Sequence, residues 1–151
     1  MYMFQTYPIM CNLTGKNVVI IGGGTIAYRK AASLQNTGAF VTIVSPHICN
    51  EMKELSYIEW KKKEFTEDDI QRAHLIYAAT NHHEINMMVK RAAHDFQWVN
   101  VVSDGTKSSF HTPAIIRRND YMISISTFGK SPSLAKKIKQ KLLAHLPQIL
   151  K

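Results

Sequence analysis

From residue 16 to about residue 102, short runs of consecutive apolar residues alternate with longer segments of mixed polarity. Residues 18–21 (VVII) form an uninterrupted apolar run that drops into three glycines and resumes as helix-compatible sequence over residues 25–37, where Gly38 stops it. Phe40–Val44 (FVTIV) predicts a second strand, residues 58–60 a weak third, 74–79 (HLIYAA) a fourth and 98–102 (WVNVV) a fifth. The acidic segment 67–72 reads as a short helical crossover. A further helix is predicted from the fourth strand to about His94, opened by Asn81 as N-cap with Glu84 three residues on, the spacing of a capping box. Continuous apolar strands alternating with helices imply a parallel sheet covered on both faces. The predicted class is α/β, a Rossmann-like domain.

The pattern changes after residue 103. Residues 110–117 and 121–127 read as two strands joined by a turn at Arg118-Asn119-Asp120, with Met122, Ser124 and Ser126 on one face of the second. A helix then starts at Gly129-Lys130-Ser131-Pro132, with Ser131 as N-cap and Pro132 in the first helical position. Leu134, Ile138, Leu142 and Leu146 recur at helical spacing, with lysines opposite. So strong an apolar stripe needs a partner surface, in its own domain or in a second subunit. The expected division is a dinucleotide-type domain over residues 1–112 and a dimerisation segment over 113–151.

Composition narrows the class. A chain of 151 residues holds one domain, or one with a short appendage, and 45% apolar residues suffice for a core. The start, MYMFQTYPIMCNL, has neither a basic n-region nor a long apolar stretch, so no signal peptide is expected, and no transmembrane run is present. Cys11 and Cys49 have no metal spacing and are expected as free thiols. A cytoplasmic protein fits. The net charge of +8 permits nucleic acid, a membrane surface or a polyanionic small molecule as partner. The lysine runs at 61–63 and 136–141 read as solvated faces, and no nucleic-acid-binding signature accompanies them.

The chemistry centres on the glycine turn. Gly22, Gly24 and Ala27 fit G-x-G-x-x-A, with Gly23 between: one glycine for the turn, one for close approach to a pyrophosphate, a small residue for helix–strand packing. Exposed N–H groups at the helix start favour phosphate. In a doubly wound sheet, ligands lie beyond the carboxyl ends of the strands. The candidate cofactor contacts are therefore Gly22, Gly23, Gly24, Thr25, Ile26, then Ser45-Pro46-His47, then Thr80-Asn81. The second strand ends in Ser45, where a carboxylate for a ribose hydroxyl is usual, and no arginine stands there for a 2′-phosphate. Asp104 follows the fifth strand and is a candidate general base; equally, an Asp before Gly105 caps turns. His111 follows that loop and could reach the substrate. Ser124 and Ser126 read as a polar strand face. His82-His83 are adjacent, and with no His-x-x-x-His pair in the chain no metal site is expected.

Together these residues resemble the precorrin-2 dehydrogenase family, the oxidation module of siroheme synthases. The matching segments are Tyr7-Pro8-Ile9, GGGTIAYRKA at 22–31, TIVSP at 42–46, AATN at 78–81, Asn100-Val101-Val102, Ser109-Phe110 with Pro113, and SISTFGKSPSLAKKIK at 124–139. The resemblance implies oxidation of precorrin-2 to sirohydrochlorin with NAD as hydride acceptor, a polycarboxylate tetrapyrrole as substrate, and a homodimer built by the hairpin and last helix. Its cofactor contacts fall on Gly24, Thr25, Ile26, Pro46, His47, Thr80 and Asn81; Ser103, His111, Ser124 and Ser126 are candidate substrate contacts. Many relatives place the catalytic aspartate at the position of Ser103, one before Asp104. Either Asp104 still reaches the substrate or Ser103 takes its place; serine is a poor base without help, which favours Asp104. Family members usually continue into a small helical domain, and this chain stops at Lys151. The rival readings are a non-enzymatic NAD-sensing module, a nucleic-acid-binding protein using the basic helix, and a sirohydrochlorin ferrochelatase.

Overall fold

A computed structural model describes residues 6–149. The chain forms two compact units. One is Met10–Phe110; the other gathers the residues that flank it, chiefly those from His111 onward.

The first unit is a five-stranded, wholly parallel sheet. Its strands are β1 (Asn17–Ile21), β2 (Phe40–Val44), β3 (Ile58–Lys61), β4 (Leu75–Ala78) and β5 (Trp98–Val101), in the order β3-β2-β1-β4-β5. Helix α1 (Thr25–Ser33) connects β1 to β2, α2 (Asn50–Lys53) precedes β3, and α3 (His83–Ala92) connects β4 to β5. Successive residues of a strand face opposite sides of a sheet, and here both sides are apolar. Val18, Ile20, Val41, Ile43 and Tyr77 pack with Ala27 and Ala31 of α1 and Met52 of α2. Val19, Ile21, Val44, Ile76, Val99 and Val101 pack with Ile70 and with Val89 of α3. That two-sided burial is why the strands read as unbroken apolar runs.

Several local readings changed. The expected crossover at 67–72 is a single 3₁₀ turn, Glu67–Ile70, whose start is tied by Asp69 Oδ2 accepting from the Thr66 N–H at 2.9 Å. Helix α1 ends at Ser33, well before Gly38; Leu34 already bonds back to the Ala31 carbonyl. α2 had no signal in the periodicity because it is one turn long. Strand β5 is an edge in the sheet order, and residues 108–110 run beside it: Ser109 donates its N–H to Val99 O at 2.7 Å, and Ser108 Oγ accepts from Val101 N at 2.8 Å.

The second unit holds an antiparallel pair, β6 (Ala114–Arg117) and β7 (Met122–Ile125), and α4 (Pro132–Ile149). The strands are shorter than the sequence suggests, and Arg118 N closes the turn on Tyr121 O at 2.9 Å. Ser131 caps α4 as expected, its Oγ accepting from Leu134 N at 3.2 Å. The buried stripe differs by one position: Ala135 and Leu146 pack with Ile116 and Ile125, Ile138 and Leu142 join them, and Leu134 is 48% exposed. The hairpin thus supplies much of the surface that the stripe requires. Among the described residues no helix is long and apolar enough to cross a membrane.

Candidate functional site

The order β3-β2-β1-β4-β5 reverses direction between β1 and β4, so the crevice of this sheet opens at their carboxyl ends. The register brings those ends level: Ile21 pairs with Val44 and with Ala78, and Ala78 with Val101. The loops after β1, β2, β4 and β5 therefore leave one sheet edge together. They carry the expected residues Gly22–Ile26, Ser45–His47, Thr80–Asn81 and Ser103–Asp104.

The three glycines have separate jobs. Gly22 has φ +125°, a conformation side chains rarely adopt, and a Cβ there would run into the Ala79 carbonyl. At Gly23 a Cβ would strike the His47 carbonyl and stand 2.8 Å from Ser45 Oγ. Those two positions are closed by protein. At Gly24 a Cβ would meet nothing within 4 Å, although the backbone there is ordinary extended chain. Gly24 caps α1, its carbonyl accepting the first helical bond from Tyr28 N at 2.9 Å. The first turn of α1 has no acidic residue, so its positive end is uncompensated within the helix, and Thr25 and Ile26 are exposed beside it. Open space against backbone N–H groups at a helix start suits a pyrophosphate. The residues present fit a nicotinamide dinucleotide.

The loop after β2 is held from within. Ser45 Oγ donates to His47 O at 2.7 Å, Trp60 Nε1 donates to Ser45 O at 2.9 Å, and Cys49 N donates to Gly23 O at 2.8 Å. Ser45 therefore shapes the loop, while Pro46 and His47 are exposed on it.

The loop after β4 corrects the sequence reading. Asn81 does not cap α3: the helix begins at His83, His82 occupies the cap position, and no side chain caps it. The cause is Asn86, wholly buried on α3. Its Oδ1 accepts from Thr80 N at 3.0 Å and from the Thr80 hydroxyl at 2.8 Å; its Nδ2 donates to Thr80 O at 3.1 Å. Thr80 Oγ1 also accepts from His82 N at 3.1 Å. Tied this way, the loop delays the helix by one residue.

Asn86 reaches the β5 loop as well, donating from Nδ2 to Ser103 Oγ at 3.2 Å. His83 Nδ1 lies 3.2 Å from the same oxygen. Neither Asn86 nor His83 was identified from the sequence as a site residue. The only signal for Asn86 was an amide on an otherwise apolar helical face, opposite a loop many residues away. Asp104, next in the chain, caps the 3₁₀ turn Gly105–Lys107, as one of its two sequence readings required. Its Oδ1 accepts from the Thr106 hydroxyl at 2.6 Å and the Thr106 N–H at 2.9 Å. Those bonds, with lesser help from the charges of Lys107 and His83, hold its carboxyl below the usual carboxylate range.

His111, Ser124 and Ser126 belong to the second unit. The His111 ring packs on Gly129, where a Cβ would come within 2.8 Å of Cε1. Ser124 is exposed on the hairpin, and Ser126 Oγ accepts from Phe128 N at 3.1 Å. Among the described residues no group of three or more His, Cys, Asp or Glu is arranged to hold a metal ion.

A family model described as "Putative NAD(P)-binding" matches residues 9–114. The precorrin-2 dehydrogenase of Bacillus subtilis is 35% identical over 136 residues, covering 88% of this chain and 84% of that protein. Siroheme synthase 3 of Aeromonas hydrophila subsp. hydrophila is 42% identical over 147 residues, 95% of this chain. The chain spans 31% of the length of that larger relative. The solved structure of SirC, a precorrin-2 dehydrogenase, superposes with a TM-score of 0.83 at 34% identity, covering 93% of this chain and 71% of that one.

Proposed function

Because the chain belongs to the precorrin-2 dehydrogenase family, we propose that it oxidises precorrin-2 to sirohydrochlorin, passing a hydride to NAD. The observation that carries this reading is the glycine turn: closed at Gly22 and Gly23, and open at Gly24 against the start of α1. When bound there, NAD supplies the hydride acceptor. Gly24, Thr25 and Ile26 would hold its pyrophosphate, and Pro46, His47, Thr80 and Asn81 would make its remaining contacts. Ser45, which offers neither a carboxylate nor a cation, takes no side in the choice between NAD and NADP.

Hydride loss from the macrocycle must be matched by loss of a proton, and the β5 loop is where we assign that event. Asp104 stays ionised down to low pH because Thr106 bonds its oxygen. It contributes a fixed negative charge beside the reacting ring. His111, Ser124 and Ser126 are the proposed substrate contacts of the second unit, and a homodimer formed through that unit is the proposed assembly. The net charge of +8 suits a polycarboxylate substrate and raises its encounter rate at low salt, with no need of nucleic acid or membrane as partner. A cytoplasmic site of action is consistent with such a substrate.

The test is anaerobic incubation of the protein with precorrin-2 and either NAD or NADP, following absorbance of the reduced nicotinamide. Stoichiometric reduction supports the proposal. Tight NAD binding with no reduction would instead mark a sensing module, and the dehydrogenase reading would be abandoned.

A further inference from the structure

We propose that the proton released during the oxidation is taken by a Ser103–His83 pair held in place by Asn86. This inference rests on the dehydrogenase reading above and assigns the acid–base chemistry of that same site.

Asp104 is ionised but held below the ordinary carboxylate range, with its Oδ1 engaged twice by Thr106. A base works best when its proton affinity lies near the working pH, and a carboxylate lowered further is poorly matched to neutral solution. Ser103 stands at the end of β5, beside the crevice, with its side chain exposed. Alone it is a weak base. The structure gives it a partner: His83 Nδ1 is 3.2 Å from Ser103 Oγ, a hydrogen-bonded hydroxyl–imidazole pair of the kind that activates serine elsewhere in enzymology.

The pair is also oriented. Asn86 is wholly buried and can only donate through Nδ2, so at Ser103 the oxygen is the acceptor from that side. The Ser103 proton is left free to point at His83 Nδ1. The other Asn86 bonds, all to Thr80, lock its amide. One buried residue thus fixes both the loop proposed to contact the cofactor and the hydroxyl proposed to take the proton. His83 sits in the first turn of α3 and is exposed, so its far nitrogen can release a proton to water.

The step balances as follows. The reduced macrocycle loses one hydrogen with two electrons, as hydride, to NAD. It loses a second hydrogen as a proton to Ser103 Oγ, while the Ser103 proton moves to His83 Nδ1. His83 becomes imidazolium and returns its proton to solvent through Nε2. The charged groups to account for are Asp104, on which Lys107 and His83 both act, and Glu84, next to His83 in the chain.

The experiment uses His83→Gln and Ser103→Ala in the intact chain, with NAD affinity by calorimetry, single-turnover oxidation of precorrin-2, and nitrogen NMR of the His83 ring without cofactor. His83 is at the surface, so its substitution leaves the fold intact. The expected result is a fall in kcat of about a hundredfold in each variant, the usual contribution of a positioned acid–base group, with unchanged Kd for NAD. The acidic limb of the wild-type kcat profile is expected to vanish in His83→Gln. In the cofactor-free protein, neutral His83 is expected to carry its proton on Nε2 with Nδ1 accepting a hydrogen bond that Ser103→Ala removes. A loss of less than tenfold in either variant, or a proton on Nδ1 of neutral His83, overturns the pair. Failure of the wild-type chain to reduce NAD overturns the dehydrogenase reading itself, and is distinguishable because the wild type then has no turnover to lose.

Discussion

Replacing Gly22 and Gly24 separately with alanine is expected to split stability from binding, because the two glycines owe their place to different constraints. At Gly22 an alanine must adopt φ +125°, which costs about 1–3 kcal/mol for a non-glycine residue. Its Cβ must also displace the Ala79 carbonyl at the end of β4, an overpacking of about 1–3 kcal/mol more. The sum, about 2–6 kcal/mol, lowers the melting temperature by roughly 10–50 °C for a unit of this size, at about 4–8 °C per kcal/mol. At Gly24 the backbone has φ −86° and the Cβ enters empty space. The alanine is a poorer N-cap by about 0.5 kcal/mol and restricts the unfolded chain by a similar amount, so the melting temperature moves by only a few degrees. The added methyl nevertheless occupies the ground where the pyrophosphate must approach α1. A tenfold or greater rise in the Kd for NAD, about 1.4 kcal/mol, is expected. Differential scanning fluorimetry and calorimetric titration of the two variants read the two quantities independently. If Gly24→Ala binds NAD as the wild type does, the pyrophosphate does not lie at this turn and the cofactor assignment is refuted.

Asn86→Ala deprives the part-buried Thr80 N–H and carbonyl of their partners, and should cost about 2–4 kcal/mol in urea unfolding; a loss under 1 kcal/mol would mean that the Thr80 loop finds other bonds. Asp104 should titrate below the ordinary carboxylate range by carbon NMR, and Thr106→Ala should move it back up. Its sign follows from a depressed carboxyl: the stabilisation is complete above the unfolded-state value near pH 4 and is lost as pH falls through the folded value. Leu146→Ala should destabilise the second unit by about 2–5 kcal/mol, whereas Leu134→Ala should stay within about 0.5 kcal/mol because Leu134 is half exposed. Equal effects would restore the stripe read from sequence.

The sequence by itself determined whatever depends on neighbours in the chain. Phe40–Val44 and the run from Val18 to Ile21 are strands because β-branched residues buried on both faces leave an unbroken apolar signature. The start of α4 was legible for the same reason, since Ser131 and Pro132 act on N–H groups within one turn. Gly22 and Gly24 announced a phosphate turn through spacing alone. Tertiary structure decided the rest. Leu134 and Ala135 are both apolar and one step apart on the helix; only the position of Ile116 and Ile125 chose Ala135 as the buried one. Asn81 looked like a cap because Glu84 follows at the right interval, but an amide on the next turn of α3 had already claimed Thr80. Ser103 looked like a poor base because its partner, His83, lies 20 residues earlier in the chain. Side-chain hydrogen bonds across such separations leave no periodicity. They exist only once β4 and β5 are paired and α3 is packed beside them, so the proposed acid–base end of the site depends on the fold, while its proposed phosphate end was legible in the sequence.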